Sequence, residues 1–239
     1  MCDFLEVKSL KVLEVKQLHI PEGKAKVQFI RIDPEDMEQT LSDILKAMMD
    51  LSWLKNFDKE YVKQSFRERA TITINDIKRK FNMCVSDKLT SDAGEYLVSE
   101  LARETLVGEL KYMNIPLGEL LGKKISGNPG FDFHSQNNLT DTIIFGEAKY
   151  LSNRCAYSDA LCQINNFITE KKDIKDIADL EHFCSDRAMD RAVKGKKGFA
   201  AAFSAKSTSS KRILSAIMAK DEFKKLTNYE ELILVAVDL

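Results

Sequence analysis

The apolar positions of this chain follow two periods. Residues 1–32 alternate weakly, through Leu5 and Val7, Leu10 and Val12, Leu18 and Ile20, then Val27 and Phe29. Pro21-Glu22-Gly23 interrupts them, so short strands around a hairpin-like turn are expected. From Pro34 the period becomes helical. Met37, Leu41, Ile44, Leu45, Met48 and Met49 recur at i, i+3 and i+4 spacing. Asp33 stands where an N-cap would be, and Glu35 and Asp36 suit a first helical turn. Residues 60–82 divide into a helix from Tyr61 to Arg69 and a strand-like Ala70-Thr71-Ile72-Thr73-Ile74.

Beyond a polar loop from Ser86 to Thr90, Ser91 or Asp92 caps a helix running to about Val107, with Leu97, Val98 and Leu101 on its apolar side. Pro116, Gly118, Gly122, Gly127, Pro129 and Gly130 then break the pattern. Thr142-Ile143-Ile144-Phe145, ahead of Gly146, is a continuous apolar run that fits a buried central strand. A helix from Ser158 to Thr169, a strand over 198–203, a helix from Ser207 to Met218 and a core strand from Glu231 to Asp238 complete the chain. Strands alternating with helices predict an α/β fold. The change of pattern divides the chain into an N-terminal strand and helix region, 1–85, and a second region, 86–239.

Composition narrows the class. With 239 residues and 44% apolar content the chain can bury a core, which excludes a disordered protein. No run of about 18 apolar residues suggests a spanning helix, and Met1-Cys2-Asp3-Phe4 lacks the order of a signal peptide, so the chain reads as intracellular and cytoplasmic, with no membrane partner. Five cysteines, at 2, 84, 155, 162 and 184, form no Cys-x-x-Cys pair, which argues against a disulfide framework or a structural zinc site. No Gly-x-x-x-x-Gly-Lys-Ser/Thr occurs, so the chain is not a P-loop ATPase.

A net charge of −1 conceals two poles. The stretch from Arg191 to Arg212 carries Arg191, Lys194, Lys196, Lys197, Lys206, Lys211 and Arg212 with no acidic residue. Such a run can hold a nucleic-acid backbone while the rest of the molecule repels it. The opposite pole runs from Asp33 to Asp50 and suits a protein surface instead.

The candidate chemistry lies between the poles. An apolar strand ends in Glu147-Ala148-Lys149, and alternation places Glu147 and Lys149 on one face and Ala148 on the other. Asp132 precedes Glu147 by a spacing that suits two adjacent strands joined by a turn around Ser135-Gln136-Asn137-Asn138. Two converging carboxylates form a hard-oxygen site for Mg²⁺ or Mn²⁺. A metal there can activate water and clamp a phosphate, while a lysine orients or deprotonates that water. These parts are the minimum kit for phosphodiester hydrolysis. A charged pair at the end of a core strand could also be purely structural.

The order Asp132, then Glu147-Ala148-Lys149, resembles the PD-(D/E)XK nuclease superfamily, although Pro129-Gly130-Phe131-Asp132 replaces an adjacent Pro-Asp. That resemblance implies a restriction-endonuclease-like core, α-β-β-β-α-β, in a mixed sheet flanked by helices, with the N-terminal region as an α+β extension. It implies metal ligands Asp132, Glu147 and the Ala148 main-chain carbonyl, with Lys149 acting on water. It also implies a helix glutamate, Glu95 with Glu100 in reserve, and Gln163 of Gln163-Ile-Asn-Asn-Phe167 facing the site. More narrowly, residues 90–239 are similar to the HamA family, the nuclease effectors of the Hachiman antiphage defence system. This resemblance implies DNA as substrate and a HamB-like helicase as partner. Arg191, Lys194, Lys196, Lys197, Lys211 and Arg212 are the expected nucleic-acid contacts. The rival expectation is a catalytically inert nucleic-acid or protein-binding module on the same fold.

Overall fold

The computed structural model describes residues 10–82, 89–121 and 130–239. The expectations at Leu5, Val7, Cys2, Cys84, Gly122, Gly127, Pro129 and the start of the loop at Ser86 lie outside the described residues.

Six strands form one mixed sheet in the order β1-β2-β6-β5-β4-β3. They are β1 (Leu10–Leu18), β2 (Lys26–Pro34), β3 (Phe133–Asn137), β4 (Thr142–Lys149), β5 (Gly198–Ser204) and β6 (Glu231–Val237). The four inner strands β2, β6, β5 and β4 are mutually parallel, and β1 and β3 pair antiparallel at the edges. Because β2 pairs with β6 from Lys26 opposite Glu231 to Ile32 opposite Val237, the N-terminal hairpin completes the sheet of the second region.

Helices cover both faces, as a parallel sheet requires. The helices α1 (Met37–Met49), α2 (Glu60–Asn82) and α3 (Ser91–Leu110) pack on Ile30, Ile32, Ile144, Ala148, Ala202 and Val235. The other face carries α4 (Tyr157–Thr169), α5 (Lys172–Asp176), α6 (Asp186–Val193), α7 (Ser210–Met218) and α8 (Asp221–Leu226), packed around Phe29, Phe145, Phe199, Phe203 and Leu234. Among the described residues no helix is long and apolar enough to cross a membrane.

Four local expectations are corrected. The strand expected at 70–74 is the middle of α2. Ala70, Ile74, Ile77 and Phe81 are buried one helical turn or two apart, while Ile72 is exposed, so the long-range period overrides a β-branched local sequence. The N-cap of α1 is Asp36, whose side chain accepts from the Gln39 N–H, not Asp33, and Met49 on the expected inner face is exposed. The turn expected around Ser135 starts at Asn138, and Ser135, Gln136 and Asn137 are buried in β3. Their side chains find partners that no local pattern reveals. Ser135 donates to the Met113 carbonyl at 2.6 Å, Gln136 accepts from the Ser185 N–H at 3.0 Å, and Asn137 donates to Glu231 at 2.7 Å. Finally, two strands are described between α3 and α4, where the expected α-β-β-β-α-β order has three.

Candidate active site at the carboxyl rim of the sheet

The site lies at the carboxyl ends of the parallel strands, where α/β sheets characteristically bind ligands. Two glycines let its parts meet. Gly146 lies opposite Phe133, and a Cβ there would stand 2.2–2.5 Å from the Phe133 ring. This close approach seats β3 on β4 and brings Asp132 level with Glu147. The Asp132 N–H donates to the Gly146 carbonyl at 2.9 Å, and Asp132 Oδ2 accepts from the Ala148 N–H at 2.7 Å. In the first turn of α3, a Cβ on Gly94 would stand 2.2 Å from the Tyr150 ring. The helix therefore rests against the residue after Lys149, and Glu95 arrives beside the lysine.

Lys149 Nζ lies 2.9 Å from Glu147 Oε1 and 3.6 Å from Glu95 Oε1. Glu147 is 2% exposed, and its second oxygen, Oε2, is buried without a hydrogen-bond partner. Burial, then the neighbouring Asp132 charge, push the Glu147 carboxyl well above the usual carboxylate range, with Lys149 opposing. Burial also raises Glu95, again against the pull of Lys149. For Lys149 burial disfavours the ammonium, but Glu147, Asp132 and Glu95 together outweigh it and hold the lysine charged. The buried Glu147, with one unpartnered oxygen beside the half-buried Asp132, presents oxygen donors of the kind a hard divalent cation takes. Among the described residues no group of three or more His, Cys, Asp or Glu side chains is disposed to hold a metal, so a ligand set would rest on two carboxylates and main-chain oxygen.

The structure distinguishes between the two helix glutamates. Glu95 joins Lys149, whereas Glu100 is buried in a bidentate pair with Arg103 at 2.6 and 2.7 Å. Arg103 also meets Glu104. Gln163 is half-buried on α4 and makes no hydrogen bond to another described residue. Ala148 lies on β4 opposite Ala202, with its methyl group in the α1–α3 layer.

Several neighbours were not legible in the sequence. A cleft of about 110 Å³ beside Asp132 is lined by Lys80, Asp92, Glu95, Tyr96, Ser99 and Glu119. Lys80, near the end of α2, lies over the Tyr96 ring and 3.4 Å from Asp92, so α2 forms a wall of the cleft. Behind Asp132, Asp176 of α5 accepts from the Phe131 N–H at 3.0 Å and meets His134 Nε2 at 3.3 Å. It thus grips the chain on both sides of the candidate ligand. No spacing signal links α2 or α5 to β3, and only tertiary packing makes them neighbours.

The basic run does not form one surface. Lys194 and Lys196 lie in the loop before β5, whose first residue, Gly198, pairs with Ile144. Lys149 pairs with Phe203, five residues along. The loop and the site therefore occupy opposite rims, separated by roughly 17 Å of strand. Lys197 is buried in an ion pair with Asp173, and Arg191 donates to the Asp141 carbonyl at 3.2 Å and lies 3.7 Å from Glu230. The expectation that the whole stretch shares the site's face is corrected: Arg191, Lys194, Lys196 and Lys197 are on the far rim. Lys211 and Arg212, at the start of α7, follow the carboxyl end of β5.

These observations define an α/β protein with a six-stranded mixed sheet flanked by helices and an Asp-Glu-Lys cluster at its carboxyl rim. The chain matches no protein-family model, no curated protein and no solved structure.

Proposed function

We propose that this chain is a metal-dependent deoxyribonuclease of the PD-(D/E)XK superfamily, and that it acts as the effector of a helicase–nuclease antiphage complex of the Hachiman kind, as HamA does. The observation that carries the reading is the buried, unpartnered Glu147 Oε2, beside Asp132 and with Lys149 on the other oxygen. Lys149 thus takes up one oxygen of Glu147 and leaves the other buried beside Asp132. The helix α3, the pair β3–β4, the helix α4 and the strand β5 follow one another along the chain, one strand short of the α-β-β-β-α-β core, and this succession supports the reading.

In this reading Asp132 and Glu147 would hold Mg²⁺ or Mn²⁺, with the Ala148 carbonyl as a further ligand and Glu95, beside Lys149, in the outer shell. A divalent ion there supplies an acidified water and neutralises phosphate charge. Lys149, an ammonium flanked by Glu147 and Glu95, orients the attacking water and offsets charge on the phosphate oxygens. The main-chain grip on Asp132 and the Asp176 contacts behind it keep the first carboxylate in place. The acidic start of α1, with exposed Glu35, the N-cap Asp36 and Glu38, disfavours DNA and suits the HamB-like helicase partner.

The test is incubation of the pure protein with plasmid and oligonucleotides in Mg²⁺, Mn²⁺ or EDTA, alone and with the helicase. Cleavage that needs the metal and disappears in Glu147→Ala is expected. Cleavage that persists in Glu147→Ala, or none in any condition, would sink the proposal.

A further inference from the structure

We infer that the DNA backbone beside the cut is held by Lys206, Lys211 and Arg212 at the carboxyl rim of β5, and that Lys194 and Lys196 take no part. The inference rests on the nuclease reading and adds the path of the substrate.

Strand register carries the argument. Phe203 pairs with Lys149, so Lys206, in the turn that follows the end of β5 at Ser204, emerges on the same rim. Lys206 is half-exposed, Lys211 and Arg212 are exposed, and none of the three forms an ion pair with a described residue. A shallow cleft of about 530 Å³ beside them is lined by Ser209, Lys211, Arg212, Ser215 and Ala216. Its hydroxyls and cations are the donors that a phosphodiester needs.

Arg31 fixes this segment on the sheet. It donates to both oxygens of Asp238, at 2.9 and 2.8 Å, and to the Thr208 carbonyl at 2.9 Å and Ser210 Oγ at 3.1 Å. The cations at 206, 211 and 212 are thus mounted on an anchored turn. Charge also bounds the path. On the far side of β6 the rim at the end of β2 carries Asp33, Glu35 and Asp36, of which Glu35 is paired with Lys11, so the local charge is net negative and disfavours a polyanion. A backbone crossing from Lys149 is therefore attracted at β5 and turned back at β2.

The experiment measures binding of full-length protein to labelled DNA duplexes of scrambled sequence, in EDTA, across a range of salt. The slope of log affinity against log salt counts the phosphate contacts. The variant K206A/K211A/R212A should lose about two to three units of slope on every sequence, while K194A/K196A keeps the wild-type slope. The charge-conserving K206R/K211R/R212K should also keep it, and thermal melting shows which variants are folded. An unchanged slope in the first variant, a loss in the second, or no binding by the wild type overturns the proposal. Cleavage in Mg²⁺ is scored separately. A wild type that shows the rim-dependent slope but does not cut overturns the nuclease reading and leaves the rim standing. Normal cutting with a rim-independent slope does the reverse.

Discussion

Lys149 Nζ touches Glu147 Oε1 at 2.9 Å, yet Glu147 Oε2 has no partner although the residue is 2% exposed. One carboxylate is thus half satisfied by the lysine two residues along its own strand. Lys149→Ala should lower the cleavage rate by roughly 10²–10⁴, the usual worth of a group acting on the attacking water. DNA affinity in EDTA should stay within about threefold, because Glu147 and Glu95 hold the ammonium in the ground state and its work falls on the water and on charge that develops in the transition state. Single-turnover kinetics beside equilibrium binding separate the two effects. Wild-type rates in the variant would remove Lys149 from the chemistry.

Gly94 and Tyr150 make a second test. Alanine is the better helix former by about 1 kcal/mol, so Gly94→Ala would stabilise an isolated helix. Here the new methyl group meets the buried Tyr150 ring, and overpacking of that kind costs about 1–3 kcal/mol. The net expectation is a less stable protein in which α3 is displaced from β4, Glu95 is drawn from Lys149 and cleavage falls. Denaturant unfolding and activity together check this. A stabilised, fully active variant would contradict the contact.

Asp176 is expected to act at a distance through Asp132. Asp176→Ala removes the acceptor of the Phe131 N–H and the partner of His134, at a cost of about 1–3 kcal/mol in stability. The same change should weaken Mn²⁺ binding, measured by calorimetry, because Asp132 lies between the two released residues. If stability falls while metal affinity is unchanged, Asp176 serves the fold alone.

Cys184 gives a pH signature away from the site. Burial pushes its thiol up to about 12, from an ordinary value of 9.0. Between those values the folded chain keeps a proton that the unfolded chain has lost. The contribution is therefore complete below pH 9 and is lost as pH rises towards 12, by about 1.4 kcal/mol per pH unit. Wild-type stability should fall more steeply than that of Cys184→Ala over this interval, whatever constant cavity penalty the variant carries. Parallel stability–pH curves would show that the thiol is not shielded.

Much of this architecture is legible in the sequence because it depends on period alone. The strands β4, β5 and β6 are short apolar runs that a two-faced burial demands, and α1, α3, α4 and α7 carry apolar residues at helical spacing, so each element could be read within a residue or a few of its ends. The pairing of Glu147 with Lys149 is equally local, since alternation along one strand places both side chains on one face. The sequence alone thus determines the α/β class, the strands β4, β5 and β6 and half of the candidate site, while the place of β2 beside β6 is tertiary. Tertiary structure decides the rest, because the relevant partners are far apart in the chain. Ile72 sits in a β-branched run that looks like a strand until the burial of Ala70, Ile74 and Ile77 against other helices selects a helix. Glu95 and Glu100 are equivalent by periodicity, and only the seat of Gly94 on Tyr150 and the Arg103 pairing separate them. The basic run is continuous in sequence, but β5 passes through its middle and carries its two ends to opposite rims of the sheet. A charge count along a chain contains no direction, and a strand crossing the core supplies one.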